Sequence, residues 1–355
     1  MHWPRFLTGI LLLGLLWGCA LPQVRAEERL FLNVGVEFRG EVQLPVGSQW
    51  HNTEVGGLSG LTYDQRQQQF YAISDDRQQP RFYTLEITPE TIAPKGVTLL
   101  QQTSGEVYPA NTADPEGIVL TPEGHLVISS EGVAATASPP WIKAFERENG
   151  QTIEALPLPQ YYLPNGQQGI RNNLGFEALT LSPAGDRLFV GVESALAQDV
   201  RPNIPIYCRL LHYLRGDVAP VLLAEHLYPL DPAEAVFNGL VELLALDNGG
   251  HFLSLERTYS PEIGYGIKLF EVSLAGATDT LGMATLPVDL RTIRPVQKRL
   301  ILDFKTLGIP LTNLEGMSFG PPLADGARSL YIIGDNNFDG KTPTQVLIFA
   351  LSANR

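Results

Sequence analysis

The sequence predicts an all-β fold, specifically a β-propeller of five blades. Glycine (34) and proline (27) are abundant among the 355 residues, while apolar residues rarely recur at helical spacing. Short runs rich in Val, Ile, Leu and Tyr alternate with turn clusters, which is typical of β-strands joined by tight turns. A unit of this kind also repeats five times along the chain. Self-similarity with several strands per unit is the pattern of propeller blades.

The first 26 residues predict a secretory signal peptide. The apolar run "FLTGILLLGLLWG" is too short to span a bilayer comfortably and resembles a signal h-region. "VRA" before Glu27 favours cleavage after Ala26, whereas "LWGC" allows lipidation at Cys19, and a retained anchor is a third alternative. We therefore expect an exported protein, periplasmic or secreted, with one domain over residues 27–355 and a membrane attachment only through Cys19.

Charge and cysteine content narrow the classes of partner. The formal net charge of −13 argues against nucleic acid and anionic membranes, and suits either metal cations or plain solubility. Cys19 and Cys208 are the only cysteines, so no disulfide framework is expected and stability must come from a buried core. We expect a monomer that acts on a small molecule.

The five repeated units begin at Gly57, Asp114, Gly175, Gly239 and Asn313. Each contains a key residue, a strand, a turn, a second strand and a polar cluster. Further strand candidates between the units, such as "RFYTLEI", "WIKAFER", "RLLHYLR" and "YGIKLFEVSL", raise the number to four strands per blade. A sixth blade remains possible if a degenerate unit lies in 155–175 or 273–310.

The two ends of the chain predict how the ring closes. After the fifth unit, "TQVLIFAL" supplies only a third strand, while "FLNVGVEF" near residue 31 precedes the first unit without a partner. Pairing these two strands would complete the last blade and leave no exposed edge there.

Acidic residues recur at two positions of the repeat. The innermost strand of each blade lines the central channel, so a residue repeated at its start lies on a ring around one mouth. The end of the second strand returns to the same edge. These positions are predicted to hold Ser59, Glu116, Glu177, Glu242 and Glu315 in the first set, and Asp75, Glu131, Glu193, Glu256 and Asp335 in the second.

Converging carboxylates repel one another unless a cation neutralises them, and hard oxygen ligands suit Ca²⁺. We therefore predict a calcium site made by these acids. The alternative is that each Glu merely accepts hydrogen bonds from neighbouring backbone N–H groups. Five basic residues are candidate clamps for an anionic substrate, although each could instead form an ion pair with an adjacent acid: Arg77, Arg257, Arg171, Lys143 and Lys268.

The segments "ISDDR…RFYTLEI", "DPEGIVL", "NLGFEALTLSPAGDRLFVGVESA" and "NLEGMSF…YIIGDNN" together resemble the phytase-like family, described by an esterase-like activity of phytase. The likeness covers most of residues 35–350 and implies a β-propeller and phosphoester hydrolysis. "TADPEGIVL" is also similar to the Asp-Asp-Pro-Ala stretch of calcium-dependent propeller phytases, with Glu116 where Ala is expected. A further likeness to calcium-dependent propeller lactonases implies Asn173, Asn313 and Asn336 as ligands.

The leading expectation is an exported, calcium-dependent ester hydrolase, most simply of phosphoesters. Calcium would polarise the ester oxygen and lower the pKa of bound water, with Asp114 or Glu116 as general base. A non-catalytic binding or scaffolding propeller and a calcium-dependent lactonase remain alternatives, since this architecture hosts many functions.

Overall fold

The structure, a computed structural model, describes residues 30–202, 204–216, 219–233 and 235–353. The predicted signal peptide, its cleavage point at Ala26 and the lipidation candidate Cys19 lie outside these residues. None of the helical segments in the described ranges is long and apolar enough to cross a membrane.

Twenty-two strands lie within the described residues. In chain order they are β1 (Val34–Leu44), β2 (Gln49–Trp50), β3 (Thr53–Glu54), β4 (Leu58–Asp64), β5 (Gln69–Ser74), β6 (Arg81–Ile87), β7 (Ile92–Leu99), β8 (Pro115–Leu120), β9 (Leu126–Ser130), β10 (Trp141–Phe145), β11 (Thr152–Ala155), β12 (Phe176–Leu181), β13 (Arg187–Val192), β14 (Tyr207–Leu214), β15 (Val221–Pro229), β16 (Phe237–Ala245), β17 (His251–Ser260), β18 (Gly264–Ser273), β19 (Gln297–Asp303), β20 (Asn313–Phe319), β21 (Arg328–Asp335) and β22 (Thr344–Ala353). Short 3₁₀ turns lie at Ala134–Thr136, Gln160–Tyr162, Ala197–Asp199 and Phe304–Leu307.

Twenty of these strands form five antiparallel sheets of four strands, which are the blades of a propeller, and β2 pairs with β3 in a separate two-stranded sheet. Blades 1 to 4 are β4–β7, β8–β11, β12–β15 and β16–β19, each in chain order. Blade 5 contains β20, β21 and β22, and β1 pairs antiparallel with β22 as its outermost strand. The five-bladed all-β prediction is confirmed, and the predicted pairing of the N-terminal strand with the last blade is observed.

The innermost strands contact one another in a closed order around the channel. β4 contacts β8, β8 contacts β12, β12 contacts β16, β16 contacts β20, and β20 returns to β4. Residues 155–175 form a connection with one 3₁₀ turn, and residues 273–310 contribute only β19 of blade 4. Neither segment contains a sixth blade.

The core lies between neighbouring blades rather than inside one sheet. The second strand of each blade, such as β9 or β13, is buried at nearly every position because both of its faces pack against adjacent blades. One apolar cluster joins blades 2, 3 and 4, and three others join blades 4 and 5, blades 5 and 1, and blades 1 and 2. This explains why second strands read as unbroken apolar runs such as "LFVGV".

Each innermost strand has a β-bulge close to its start. Register shifts occur between Leu58 and Gly60, Pro115 and Ile118, Phe176 and Leu179, Leu240 and Glu242, and Leu314 and Gly316. A bulge places one extra residue against the partner strand and changes the direction of its side chain. The fold thus presents one bulged residue per blade at the same height of the channel.

Candidate functional site

The bulged residues bring carboxylates together at one mouth of the channel. They are Ser59, Glu116, Glu177, Val241 and Glu315, and the carboxylates of Glu116, Glu177 and Glu315 have oxygen atoms within 4.8 Å of one another. Ring symmetry therefore gathers acids that are 61 to 199 residues apart in the sequence. Four of the five predicted ring positions are therefore observed, and three of these four carry a carboxylate.

A second set of carboxylates lies beside the first, at the ends of the second strands. The backbone N–H groups of Asp75, Glu131 and Glu193 donate to the carbonyl oxygens at the starts of the innermost strands, at 2.8, 3.1 and 2.6 Å. Asp335 has the same position in blade 5, where it pairs with Asn313. The predicted return of the second strands to the same edge is therefore confirmed for four blades.

The two sets form three overlapping groups of acidic residues. In each group, one oxygen per residue lies within 4.8 Å of the others. The groups share Glu116, Glu131 and Glu177, so the cluster is continuous across blades 2 and 3. The groups are Asp114, Glu116 and Glu131; Glu116, Glu177 and Glu315; and Glu131, Glu177 and Glu193.

Burial and mutual repulsion raise the carboxyl pKa values of this cluster. Desolvation raises the pKa of Glu116 well above its ordinary range, and the charges of Glu177 and Asp114 raise it further. The pKa of Glu177 is raised in the same way, first by burial and then by Glu193. Burial raises the pKa of Glu315 to about 8 despite the nearby Arg257. Such groups remain charged near neutral pH only if cations compensate them.

Several of these carboxylates have no protein donor. Asp75 Oδ1 is buried without any hydrogen-bond partner, and its pKa is raised well above the ordinary value by burial and by Asp335. Among residues 30–353 that the structure describes, no side chain or backbone N–H donates to the carboxylates of Glu116 or Glu177. Buried polar atoms almost always have partners, so the orphaned Oδ1 of Asp75 indicates a missing partner.

The donor set fits a hard divalent cation. All the converging ligands are carboxylate oxygens, which is the chemistry that Ca²⁺ prefers in sites of six to eight oxygens. Two glycines make room for them: a Cβ on Gly57, where φ is +60°, would lie 2.0 Å from Asp75 Oδ1, and one on Gly239 would lie 2.3 Å from Glu193 Oε1. We conclude that the residues present suit a calcium-type ion.

Blade 4 departs from the predicted pattern, because Glu242 and Glu256 do not occupy its two ring positions. Leu240 pairs with Glu256 where Leu58 pairs with Ser74, so Val241 is the bulged residue and Arg257 takes the place of the second acid. A shift of one residue in a strand turns the side chain to another direction. The sequence carried the signal, because Arg257 follows Val241 by 16 residues, as Asp75 follows Ser59.

The two displaced glutamates are held elsewhere. The carboxylate of Glu242 accepts hydrogen bonds from the backbone N–H groups of Leu179 at 3.0 Å and Met317 at 3.4 Å, one on each neighbouring innermost strand. This is the blade-to-blade bonding considered as the alternative. Glu256 accepts from Tyr228 at 2.7 Å and forms an ion pair with Lys298. Neither belongs to the three carboxylate groups.

Arg257 is the counter-ion built into the ring. It forms ion pairs with Glu193 at 2.6 Å and with Glu315, and it donates to Asn313 Oδ1 at 2.7 Å. Burial opposes its charge, but the carboxylates of Glu315 and Glu193 raise the pKa of its guanidinium. Its Nε is buried without a partner. Arg257 thus balances part of the negative charge between blades 3 and 5.

Arg77 is the second basic residue at the mouth. It binds both oxygens of Asp114, at 2.6 and 2.5 Å, and donates to Asn173 Oδ1 at 2.7 Å. The side chain of Asp114 is buried, whereas that of Arg77 is 37% exposed. The predicted acid and its predicted clamp are therefore partners of each other.

The other three predicted substrate-binding residues do not reach the carboxylates. Arg171 donates to Ala195 O and Ser194 Oγ, and so it fixes a loop. Lys143 donates to Tyr108 Oη at 2.9 Å and lies over aromatic rings. Lys268 pairs with Asp231 beside a separate cavity on blade 4. Lys143 and Lys268 lie on the third strands of their blades, and Arg171 lies in a connection between blades. Both kinds of segment lie away from the channel.

A small cavity of about 160 Å³ opens at the mouth above Arg257. Glu193, Asn173, Asn313 and Asn337 supply polar groups, and Phe237, Tyr259 and Tyr265 form an apolar side. Of the Asn residues implied by the lactonase likeness, Asn173 and Asn313 line this cavity, while Asn336 Oδ1 accepts from the backbone of Gly57. The three aromatic residues were missed because no repeat marks them.

Comparison with known proteins agrees with this geometry. The family model for phytase-like proteins, described as "esterase-like activity of phytase", matches residues 53–338. The chain belongs to the phytase-like family. Its match with an "Uncharacterized secreted protein" of Arthroderma benhamiae is 28% identical over 180 residues, covering 41% of this chain and 34% of the relative. The phytase-like protein thus spans about a third of that relative's length.

Solved structures that match the chain include one described as a propeller. The "Dos1 propeller" shares 8% identity over 84% of this chain and 69% of its own, with a TM-score of 0.38. An endo-arabinase from Bacteroides thetaiotaomicron shares 12% identity over 90% of this chain and 98% of its own, with a TM-score of 0.44.

Proposed function

We propose that this phytase-like protein is an exported, calcium-dependent hydrolase of phosphoesters or related esters, acting at the acidic channel mouth. One observation carries the proposal: carboxylates from blades 2, 3 and 5 converge there, and the basic side chains in contact with them are Arg77 and Arg257 within the described part of the chain. The name of the secreted relative supports export.

The residues that would hold calcium are those without protein donors and their neighbours in the overlapping groups. Within the described residues no donor reaches the carboxylates of Asp75, Glu116 and Glu177, while the carboxylate of Glu131 accepts from the backbone N–H of Gly175. When bound, calcium supplies charge neutralisation and Lewis-acid polarisation of an ester oxygen and of water. The channel residues would bind the substrate and accept a proton from water.

Arg77 and Glu116 are the residues best placed to act on a substrate. Asp114 engages the Nε and one terminal nitrogen of Arg77, which orients the guanidinium and leaves its other terminal nitrogen without a partner among the described residues. That nitrogen can donate to an anionic ester group. Both oxygens of Asp114 bind Arg77, whereas no donor among the described residues reaches the carboxylate of Glu116, so Glu116 is better placed to accept a proton.

The test is hydrolysis of a chromogenic phosphate monoester and of phytate by the purified protein, with calcium and with chelator. We expect turnover with calcium, loss of turnover with chelator, and a decrease of at least about 100-fold in kcat for E116Q. Glu106 is exposed and lies outside the channel, so E106Q is the matched control and should retain full activity.

The outcomes separate the alternatives. If calcium raises the melting temperature but no ester or lactone is turned over, the protein is a binding propeller. If only lactones are hydrolysed, the phosphoester assignment fails. If chelator changes neither stability nor turnover, the metal proposal fails altogether.

A further inference from the structure

Blade 4 rises above the channel mouth. Leu240 and Glu256 occupy the register position of Leu58 and Ser74, where the corresponding strands of blade 1 end or nearly end. In blade 4, β16 begins three residues earlier, β17 continues four residues further to Ser260, and β18 begins four residues before Lys268. At about 3.3 Å per residue, the additional residues of these three strands extend roughly 10 Å beyond the rim of the channel mouth. We call residues 236–239, 257–260 and 264–267 the blade-4 extension.

A row of aromatic residues crosses this extension. Phe237 lies opposite Tyr259 on β17, and Tyr259 lies opposite Tyr265 on β18. Directly opposed residues of antiparallel strands point to the same face. The rings of Tyr259 and Tyr265 are 4.9 Å apart between centroids. Three adjacent strands therefore present one continuous aromatic surface.

The aromatic row lies directly above Arg257. Residues two apart in a strand share a face, so Arg257 stands below Tyr259 on the side of the sheet that faces the mouth. All four side chains line the cavity of about 160 Å³ at the mouth, and Asn173 and Asn337 face them. An anion near the guanidinium would place its substituent against the rings.

The aromatic row is partly open to solvent. Phe237 is 50% exposed, although it lines the cavity together with Tyr259 and Tyr265. Exposed apolar surface beside a polar cavity marks a binding surface. A ring that carries a negative group matches both parts of the cavity, because the ring can contact the aromatic row while the negative group lies near Arg257. A second apolar protein surface would instead lie against the acidic channel below.

We propose that the blade-4 extension binds the planar ring of an aryl-substituted anionic ester, and thereby gives this protein a preference for aryl over small alkyl substrates. The inference rests on the proposed function for its reaction, but the binding preference is measurable without turnover. Aromatic rings favour offset or edge contacts with other rings, which a three-residue row provides and a compact alkyl group cannot use.

The test uses two phosphonates, whose carbon–phosphorus bond resists ester hydrolysis. Calorimetry on the full, calcium-loaded protein compares phenylphosphonate with methylphosphonate. We expect phenylphosphonate to bind at least about fivefold more tightly. In F237A and Y259L that ratio should fall to about twofold or less, with the affinity for methylphosphonate unchanged. Leu300, on the outer strand of blade 4, is 48% exposed, so L300A is the matched control and should keep the wild-type ratio.

Equal affinities of the wild-type protein for the two phosphonates, or an unchanged ratio in both variants, would overturn the inference. So would a dimer that F237A converts to a monomer, because the row would then be an interface between two copies. Aryl selectivity without turnover of any ester would contradict only the proposed hydrolysis. Calcium-dependent turnover without aryl selectivity would contradict only the proposed role of the blade-4 extension.

Discussion

At the scale of single residues, Arg257 determines how the negative charge of the channel is distributed. It stands where each of the other four blades has a carboxylate, and it contacts Glu193 and Glu315 on the two neighbouring blades. A guanidinium presents several donors in a fixed plane, so it can bind both carboxylates at once. The carboxylates that remain to bind a cation are therefore mainly those of blades 1, 2 and 3.

Replacing Arg257 tests this role. R257M should lower the free energy of unfolding in chelator by about 3–5 kcal/mol, because a buried ion pair that loses one partner leaves an uncompensated charge. It should also increase the calcium-induced rise in melting temperature, because Glu193 and Glu315 become free ligands. R257K, which keeps the charge, is the control. A larger calcium effect in the wild type than in R257M would contradict the proposed distribution.

The sequence predicted most of the carboxylate ring but not its fourth position. Glu116, Glu177 and Glu315 were found because the repeat aligned their strands correctly. Glu242 and Glu256 were misplaced because aligning glutamates with glutamates shifted blade 4 by one residue, and in a strand one residue changes the direction of the side chain. Arg77 was identified as a clamp, but its pairing with Asp114 depends on loop geometry that spacing alone does not determine.

At the scale of elements, the innermost strands approach one another more closely than side chains allow. A Cβ on Gly117 would lie 2.6 Å from Glu177 O and 2.7 Å from Leu179 Cβ, both on the next innermost strand. The glycine after Glu116 therefore keeps blades 2 and 3 at the distance that brings their carboxylates together. Gly60 and Gly316 have similar contacts in blades 1 and 5.

Substituting Gly117 should disturb both the strand packing and the site. We expect G117A to destabilise the protein by at least about 2 kcal/mol, since overpacking against backbone forces the strands apart. Gly40 on β1 has open space around its Cβ position and makes G40A the matched control, which should change stability by less than about 0.5 kcal/mol. Thermal and denaturant unfolding measure both. Equal effects of the two substitutions would show that close approach is not the reason for Gly117.

Strand existence was easier to predict than strand length. Hairpins of the repeat were found from apolar runs and turn residues, and β1 was found from the shortage of a strand in blade 5. β11 has only four residues, and β2 and β3 have two each, so none gives a readable pattern. The blade-4 extension was not predicted, because its additional residues continue existing strands without a new turn.

At the scale of the whole molecule, ring symmetry concentrates negative charge in a buried place, and the protein must compensate it by protons or by cations. The pKa of Asp335 is raised to about 6, chiefly by burial, and that of Glu315 to about 8. Glu116, Glu131, Glu177 and Asp75 have pKa values raised well above the ordinary range for the same reason. Protonation and calcium binding are thus competing ways to neutralise one cluster.

This competition predicts how calcium acts at different pH values. A carboxyl group whose pKa is raised on folding contributes stability below its unfolded pKa of about 4, and that contribution is lost as the pH rises through the folded values of about 6 and about 8. In chelator, the melting temperature should therefore fall as the pH increases across this window. Calcium replaces the missing protons, so its stabilising effect should be small near pH 5 and largest near pH 8.

Calorimetry with calcium and with chelator at several pH values measures the effect, and the double variant E116Q/E177Q provides the contrast. Its amides cannot ionise, so both the loss of stability in chelator and the effect of calcium should be reduced. E106Q should behave like the wild type, because Glu106 lies outside the channel. A calcium effect that is independent of pH, or larger at pH 5, would mean that the ion binds elsewhere than at the buried carboxylates, since only their titration places protons and calcium in competition.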